Sequence, residues 1–293
     1  MILSIIITLY NRKELVVRAL DSVIDIAKEN NVEIVIVDDG SNDNPLEKIS
    51  SYLSNKNVRY FYKENGGAGD AKNYGAMHAC GDYIIFLDSD DYLINVDKLL
   101  DFIKEKATQS YDFIFSKSVI IKKNESETEV FSIGHEKMND SLYEYILQYP
   151  LHYPGKPTYI FKRKAFIDSK GFNADFRWGD AMLFWRKFLE KASYHEITFP
   201  TYVYDHSGSN SVSRNRDSTY YKNVYHTLSY TYDNIEKELI LHKFTNNWAI
   251  TLLFLSVQQA DFKGIIKYFT TLCKHPVLAI KAVCFIVKKI IER

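Results

Sequence analysis

The 293-residue chain predicts an α/β fold: a doubly wound, mostly parallel sheet flanked by helices, with a helical C-terminal extension. Three observations carry that expectation. Short apolar runs alternate with segments of helical periodicity through roughly the first 120 residues, the pattern of repeated strand–helix units. The runs are rich in β-branched and aromatic residues and read as buried strands. Polar residues then follow three strand ends: Thr8 with Tyr10, Asp38 with Asp39, and Asp88 with Asp90. Parallel strands would bring these clusters to one sheet edge, where open α/β sheets bind ligands.

The elements follow in order. Leu3 to Leu9 is the first strand, broken by Tyr10-Asn11-Arg12. Leu15, Val16, Ala19, Leu20, Val23 and Ile26 recur at helical spacing. Val32 to Val37 is a second strand, ending in the turn-rich Asp38-Asp39-Gly40-Ser41-Asn42-Asp43. Val58 to Tyr62 is a third, followed by Asn65-Gly66-Gly67 and a helix from about Ala71 to Cys80. Tyr83 to Leu87 is the fourth. Beyond it come a helix over Val96 to Ala107, a strand over Tyr111 to Ile121 and an exposed polar loop over Lys122 to Glu129. A helix over Asp140 to Tyr149, a loop at Tyr153 to Pro157 and a short strand at Thr158 to Phe161 complete this stretch. Phe172 to Asp180 leads into a helix with Phe184, Trp185, Phe188 and Leu189 on its inner face. From Tyr220 the chain reads as helical, so the expected division is a catalytic and ligand-binding domain over 1–216 and an extension over 217–293.

Composition narrows the function classes. A net charge of zero gives no general case for nucleic acid. Cys80, Cys273 and Cys284 are widely spaced and form no metal-ligand pattern, as expected of a reduced cytosolic chain. No signal peptide is expected at Met1-Ile2-Leu3-Ser4, and no stretch has the length and apolarity of a spanning helix. The first strand–helix turn lacks the glycine pattern of dinucleotide-binding folds, and no P-loop is present.

The acids after the fourth strand are the chemical centre. Asp88, Asp90 and Asp91 arrive within four residues, where carboxylates can hold a hard divalent cation that in turn holds phosphate oxygens. An isolated Asp-x-Asp is more often a turn with a helix cap. Asp180, near a helix start, reads as an N-cap in the same way. His206 to Arg216 has the composition either of a mobile lid whose His and Arg reach phosphate or of a solvated connector. Val277 to Ile291 is largely apolar, with Lys274, Lys281 and Lys288 at seven-residue spacing. That is either a basic helix lying on an anionic membrane surface or a helix docked on the domain.

Four segments carry a family pattern: Ser4 to Arg12, Val35 to Ser41, Asn65-Gly66-Gly67 with Ala71-Lys72-Asn73, and Gly81 to Asp91. In order and spacing they resemble the family 2 inverting glycosyltransferases of the GT-A fold. The resemblance covers about the first 120 residues closely and extends more loosely to about residue 216. It implies that Thr8 and Tyr10 cradle the nucleotide, Tyr10 stacking on the base, and that Asp39 bonds a pyrimidine ring, favouring a UDP-sugar. Lys72 stands where the family often has Arg and implies a diphosphate or base contact. Asp88, Ser89 and Asp90 match the DXD motif, with Asp90 on Mn²⁺ or Mg²⁺ and Asp88 on ribose or sugar. His206 would complete the metal shell, and Asp180 matches the general base. Trp178 would offer an acceptor platform, and Trp185 belongs to the core.

The implied reaction is transfer of a sugar from the nucleotide to a hydroxyl of a saccharide acceptor in O-antigen- or capsule-type polysaccharide assembly. The acceptor would be linked to undecaprenyl diphosphate, and the enzyme peripheral on the inner face of the plasma membrane. Two rivals stand beside this. A sugar nucleotidyltransferase would carry a Gly-rich basic loop after the first strand, which Leu9-Tyr10-Asn11-Arg12 is not. A non-catalytic carbohydrate-binding scaffold would have no need of Asp39, Asp90 and Asp180 together.

Overall fold

Runs of Ile, Val and Leu become strands here because β-branched side chains pack well on a pleated surface covered on both faces. The computed structural model describes residues 1–28, 31–106, 111–116, 118–124, 126–132, 159–176, 179–207, 218–234, 245–273 and 280. The order begins β1 (Leu3–Leu9), α1 (Leu15–Asp21), α2 (Ile24–Ala27), β2 (Val32–Asp38), α3 (Leu46–Ile49), β3 (Val58–Tyr62), α4 (Ala68–His78), β4 (Tyr83–Asp88) and β5 (Tyr92–Leu93). It continues α5 (Val96–Glu105), β6 (Phe113–Ser116), β7 (Ser118–Lys122), β8 (Thr128–Ser132), β9 (Tyr159–Lys162), α6 (Arg163–Asp168) and α7 (Asp180–Leu189). It closes with β10 (Tyr194–Ile197), β11 (Tyr202–Asp205), α8 (Ser218–Asn234), α9 (Thr245–Gln258) and α10 (Phe262–Cys273).

Among the described residues the main sheet has seven strands in the order β10-β6-β9-β4-β1-β2-β3. β1 runs parallel to β2 and β4, and β2 parallel to β3, so their C-terminal ends share one edge. β9 alone runs antiparallel, between β4 and β6. Strand periodicity divides the core in two. Leu3, Ile5, Ile7 and Leu9 pack on one face against α1 and α5, while Ile6, Val35, Val37 and Phe86 pack on the other against α4, α6 and α7. A third cluster joins α8, α9 and α10 around Trp248, Leu228 and Leu252.

Several local expectations change. The helix expected over Leu15 to Ile26 is two, because Val23 leaves helical geometry at φ −132°. The strand expected over Tyr111 to Ile121 is also two, in different sheets. Ser116 Oγ lies 2.7 Å from the carbonyls of both Ser118 and Phe199, its single proton shared between them, and so holds the break. The loop expected over Lys122 to Glu129 is the tip of a β7–β8 hairpin, with the Lys123 amide donating to the Glu127 carbonyl at 2.9 Å. β7 and β8 belong to a second sheet, with four strands among the described residues, β5-β11-β7-β8, that sequence periodicity did not reveal. The helix expected over Asp140 to Tyr149, Trp178 and most of the basic C-terminal segment lie outside the described residues. Among the described residues no helix is long and apolar enough to cross a membrane.

Candidate active site

The three polar clusters meet at the shared edge of β1, β2 and β4. Thr8 pairs with Val37 on one side and Asp88 on the other, and Leu9 pairs with Asp38. The Asp39 amide donates to the Leu9 carbonyl at 2.8 Å, which carries the pairing one residue past the strands. Tyr10 projects from this edge half-exposed.

The Asp39 carboxylate is buried and accepts four hydrogen bonds. Lys63 Nζ and the Gly66 amide donate to Oδ1 at 2.7 and 2.9 Å. The Gly67 amide and Asn65 Nδ2 donate to Oδ2 at 2.8 and 3.1 Å. That fills the acceptor capacity of a carboxylate, so Asp39 organises the turn that starts α4. Lys63 also reaches Asp70 at 2.6 Å, tying the first turn of α4 to the same centre. Asp38 is turned inward, accepting from the Ser41 amide and the Tyr60 hydroxyl.

The acidic turn is held by cations from two sides. Lys72 Nζ lies 2.8 Å from Asp88 Oδ1, and Arg12 lies 2.7 Å from Asp90 Oδ2. Burial would raise the Asp88 carboxyl, but Lys72, Arg12 and the Thr8 hydroxyl outweigh it and hold it below the ordinary carboxylate value. At Asp90 burial prevails over Arg12, and the neighbouring Asp88 charge adds to it, so that carboxyl is raised. Burial also works against the Lys72 ammonium, yet Asp88, with Asp180 and Asp91 behind it, lifts it above its ordinary value.

Asp91 is fully buried and does not cap the next segment. It accepts from the Tyr202 hydroxyl at 2.8 Å and from the Asp205 amide at 2.9 Å. Tyr202 Oη in turn accepts from the Asp88 amide at 3.2 Å. Burial and the Asp88 charge push Asp91 up to about 8. Arg18 donates to both the Asp90 carbonyl and the Asp205 carboxylate, and packs on the Tyr92 ring. The turn is thus bolted to β11 of the second sheet.

Asp180 is the first residue of α7, preceded by Gly179 at φ +83°, a left-handed conformation that favours glycine. Its carboxylate abuts the first turn of α4: a Cβ on Gly69 would collide with Asp180 Oδ2. Burial raises its carboxyl, opposed by the Ala181 amide and the Lys72 charge and reinforced by Asp88. Lys72 therefore acts electrostatically on both Asp88 and Asp180.

Thr8, Tyr10, Asp39, Lys72, Asp88, Asp90 and Asp180 are brought to the edge formed by β1, β2, β4 and the N-termini of α4 and α7. Ser89 is buried within the turn. The His206 amide donates to the Lys122 carbonyl at 2.7 Å, and its ring meets Tyr204 edge-on at 4.4 Å. Among the described residues no group of three His, Cys, Asp or Glu side chains converges as a metal cage. Sequence reasoning gave no role to Arg12, Arg18, Lys63, Tyr202 or Asp205. Lys63 was within reach, since it follows the end of β3 on the same edge. Tyr202 and Asp205 were not, because their contribution depends on a sheet with no sequence signal.

Comparison with known proteins agrees with this fold. The pattern of Glycosyl transferase family 2 matches residues 4–193. An uncharacterized glycosyltransferase of Rickettsia felis is 39% identical over 145 residues, 50% of this chain and 23% of that protein, so the matched segment spans less than a quarter of the relative. A Campylobacter jejuni protein described as GalNAc(5)-diNAcBac-PP-undecaprenol beta-1,3-glucosyltransferase is 28% identical over 204 residues, 68% of this chain and 64% of that one. The S. aureus TarS 1-349 structure in complex with UDP superposes with TM-score 0.58 at 18% identity, covering 92% of this chain and 90% of that one. The same protein with UDP-GlcNAc gives 0.57. The family match, which covers well over half of the chain, shows that the chain belongs to glycosyl transferase family 2.

Proposed function

We propose that this protein is an inverting glycosyltransferase that moves a sugar from a UDP-sugar to a hydroxyl of a saccharide acceptor, with Asp180 as general base. The observation that carries the proposal is the charged line Asp88–Lys72–Asp180, in which Lys72 pairs with the acidic turn and acts electrostatically on a part-buried carboxylate at the start of α7. Displacement with inversion needs a base on one side of the sugar and charge stabilisation on the other, and no covalent intermediate. Burial gives Asp180 a raised proton affinity, suited to taking the acceptor hydroxyl proton as that oxygen attacks. Lys72 and Arg12 place positive charge beside the position where the leaving diphosphate would sit. Tyr10 offers an exposed ring at the nucleotide edge.

The donor set fits a hard cation. Asp90 has carboxylate oxygens at the edge, its proton affinity raised by burial and by Asp88, a strain that a divalent ion relieves. Mn²⁺ or Mg²⁺ would be held by Asp90, with His206 as a further ligand and donor phosphates supplying the rest, since such ions commonly use few protein ligands. When bound, the ion neutralises charge on the departing diphosphate. Asp39 takes its uracil contact by exchanging one of its four present donors.

The acceptor in this reading is lipid-linked, in O-antigen- or capsule-type polysaccharide assembly, and the enzyme works peripherally at the inner face of the plasma membrane. The name of the C. jejuni relative and the basic apolar sequence from Lys274 onward support it. The test is UDP release from a panel of UDP-sugars with Mn²⁺ and undecaprenyl-diphosphate-linked acceptors, followed by NMR of the product anomer. Inverted configuration is expected; a retained configuration would overturn the single-displacement reading.

A further inference from the structure

We propose that the C-terminal helices are a positioning element for Asp180, acting through the Arg186–Trp248 contact and the Gly179–Thr227 contact; this rests on the reading of Asp180 as the base. α7 is gripped on two opposite sides. Ala181, Phe184, Trp185 and Phe188 pack into the core of the main sheet. Gly179, Met182 and Arg186 are spaced by three and four residues and form a separate stripe.

Each member of that stripe meets the extension. Gly179 lies so close to α8 that an added Cβ would collide with Thr227. Met182 is buried in the cluster formed by Val224, Leu228 and Trp248. Arg186 is 1% exposed, with its guanidinium 4.7 Å from the centroid of the Trp248 ring. An Arg over an indole face in a desolvated setting is a directional contact as well as a packing one.

The geometry matters because of where the stripe begins. Gly179 directly precedes Asp180, and its positive φ sets the angle at which the chain enters the helix. Thr227 fixes that residue from the extension, and Gly69 of α4 leaves room for the Asp180 carboxylate on the other side. Asp180 is thereby placed between the nucleotide edge and the helical extension. Of the donor-facing residues, Tyr10 and Asp39 directly follow β1 and β2, Lys72 lies on α4 and Asp90 in the turn after β4, all outside this stripe. Loosening the extension should therefore impair turnover and spare nucleotide binding.

The experiment measures kcat, donor KM and UDP affinity for Trp248→Leu, Trp248→Phe and Met182→Ala beside Asp180→Asn, in the full chain. Trp248→Leu is expected to lower kcat about 10- to 100-fold, the effect of a displacement near 1 Å, with UDP affinity within about twofold. Trp248→Phe, which keeps a ring under Arg186, is expected to recover most of that loss. If Trp248→Leu is not recovered folded, Met182→Ala on the same stripe supplies the same readout. Unchanged kcat in the folded variant, or a kcat loss matched by an equal loss of UDP affinity, would overturn the proposal. Wild-type turnover in Asp180→Asn would instead remove the assignment of the base.

Discussion

Lys72 Nζ sits 2.8 Å from Asp88 Oδ1 and also acts on the Asp180 carboxylate, so one ammonium group links the two acidic ends of the site. Lysine offers a point charge where a guanidinium would offer a planar fork. It can therefore serve two carboxylates without fixing a bidentate geometry to either.

Replacing Lys72 with Met is expected to lower kcat/KM about 100-fold, the scale of removing one preorganised charge from a developing anion. It should also move the pH dependence. Asp180 is raised by burial and works deprotonated, so the wild-type rate climbs with pH through a value above the ordinary Asp range. Lys72 lowers that value; without it the carboxyl rises further and the climb moves to higher pH. A pH–rate profile of the variant with an unmoved acid limb would refute the coupling.

Gly69→Ala tests the approach of Asp180 to α4. The added Cβ meets Asp180 Oδ2, so the carboxylate or the helix must shift. Turnover is expected to fall more than about tenfold at a stability cost of about 1–3 kcal/mol. Steady-state kinetics and urea denaturation read the two effects separately, and unaltered turnover would show that the contact is not needed.

Asp39→Asn places an amide against four donors and leaves at least one buried group unpaired. About 1–3 kcal/mol of destabilisation is expected, with weaker UDP binding because the turn before α4 loses its anchor. Calorimetric titration with UDP and the urea midpoint check this; a wild-type midpoint would contradict the structural part of the role.

Tyr202→Phe removes the hydroxyl that donates to Asp91 and accepts from the Asp88 amide. The buried Asp91 carboxyl then loses a partner, at an expected cost of about 1–3 kcal/mol. Thermal unfolding should show a lowered midpoint. An unchanged midpoint would mean that the Asp205 amide alone satisfies Asp91.

The sheet was legible because its strands are continuous apolar runs with polar residues at their ends, and the parallel register of β1, β2 and β4 then places Thr8, Asp38 and Asp88 side by side. The antiparallel insertion of β9 was not legible, since a four-residue strand carries no direction in its composition. Asp180 could be named from its family pattern, but its packing against Gly69 and the Lys72 charge acting on it bring together residues over 100 positions apart. Asp91 shows the same limit. As one of three clustered acids it reads as a helix cap, and only the second sheet makes it the anchor of the turn.

The most direct test of the division between base and leaving-group side compares Asp180→Asn with Asp90→Asn. Single-turnover rates and Mn²⁺-dependent UDP affinity are measured on each. Asp180→Asn is expected to lose about 10²- to 10⁴-fold in rate while binding UDP like the wild type. Asp90→Asn is expected to lose the Mn²⁺-dependent part of UDP affinity. Wild-type turnover in Asp180→Asn, or Mn²⁺-dependent affinity untouched in Asp90→Asn, would contradict the account.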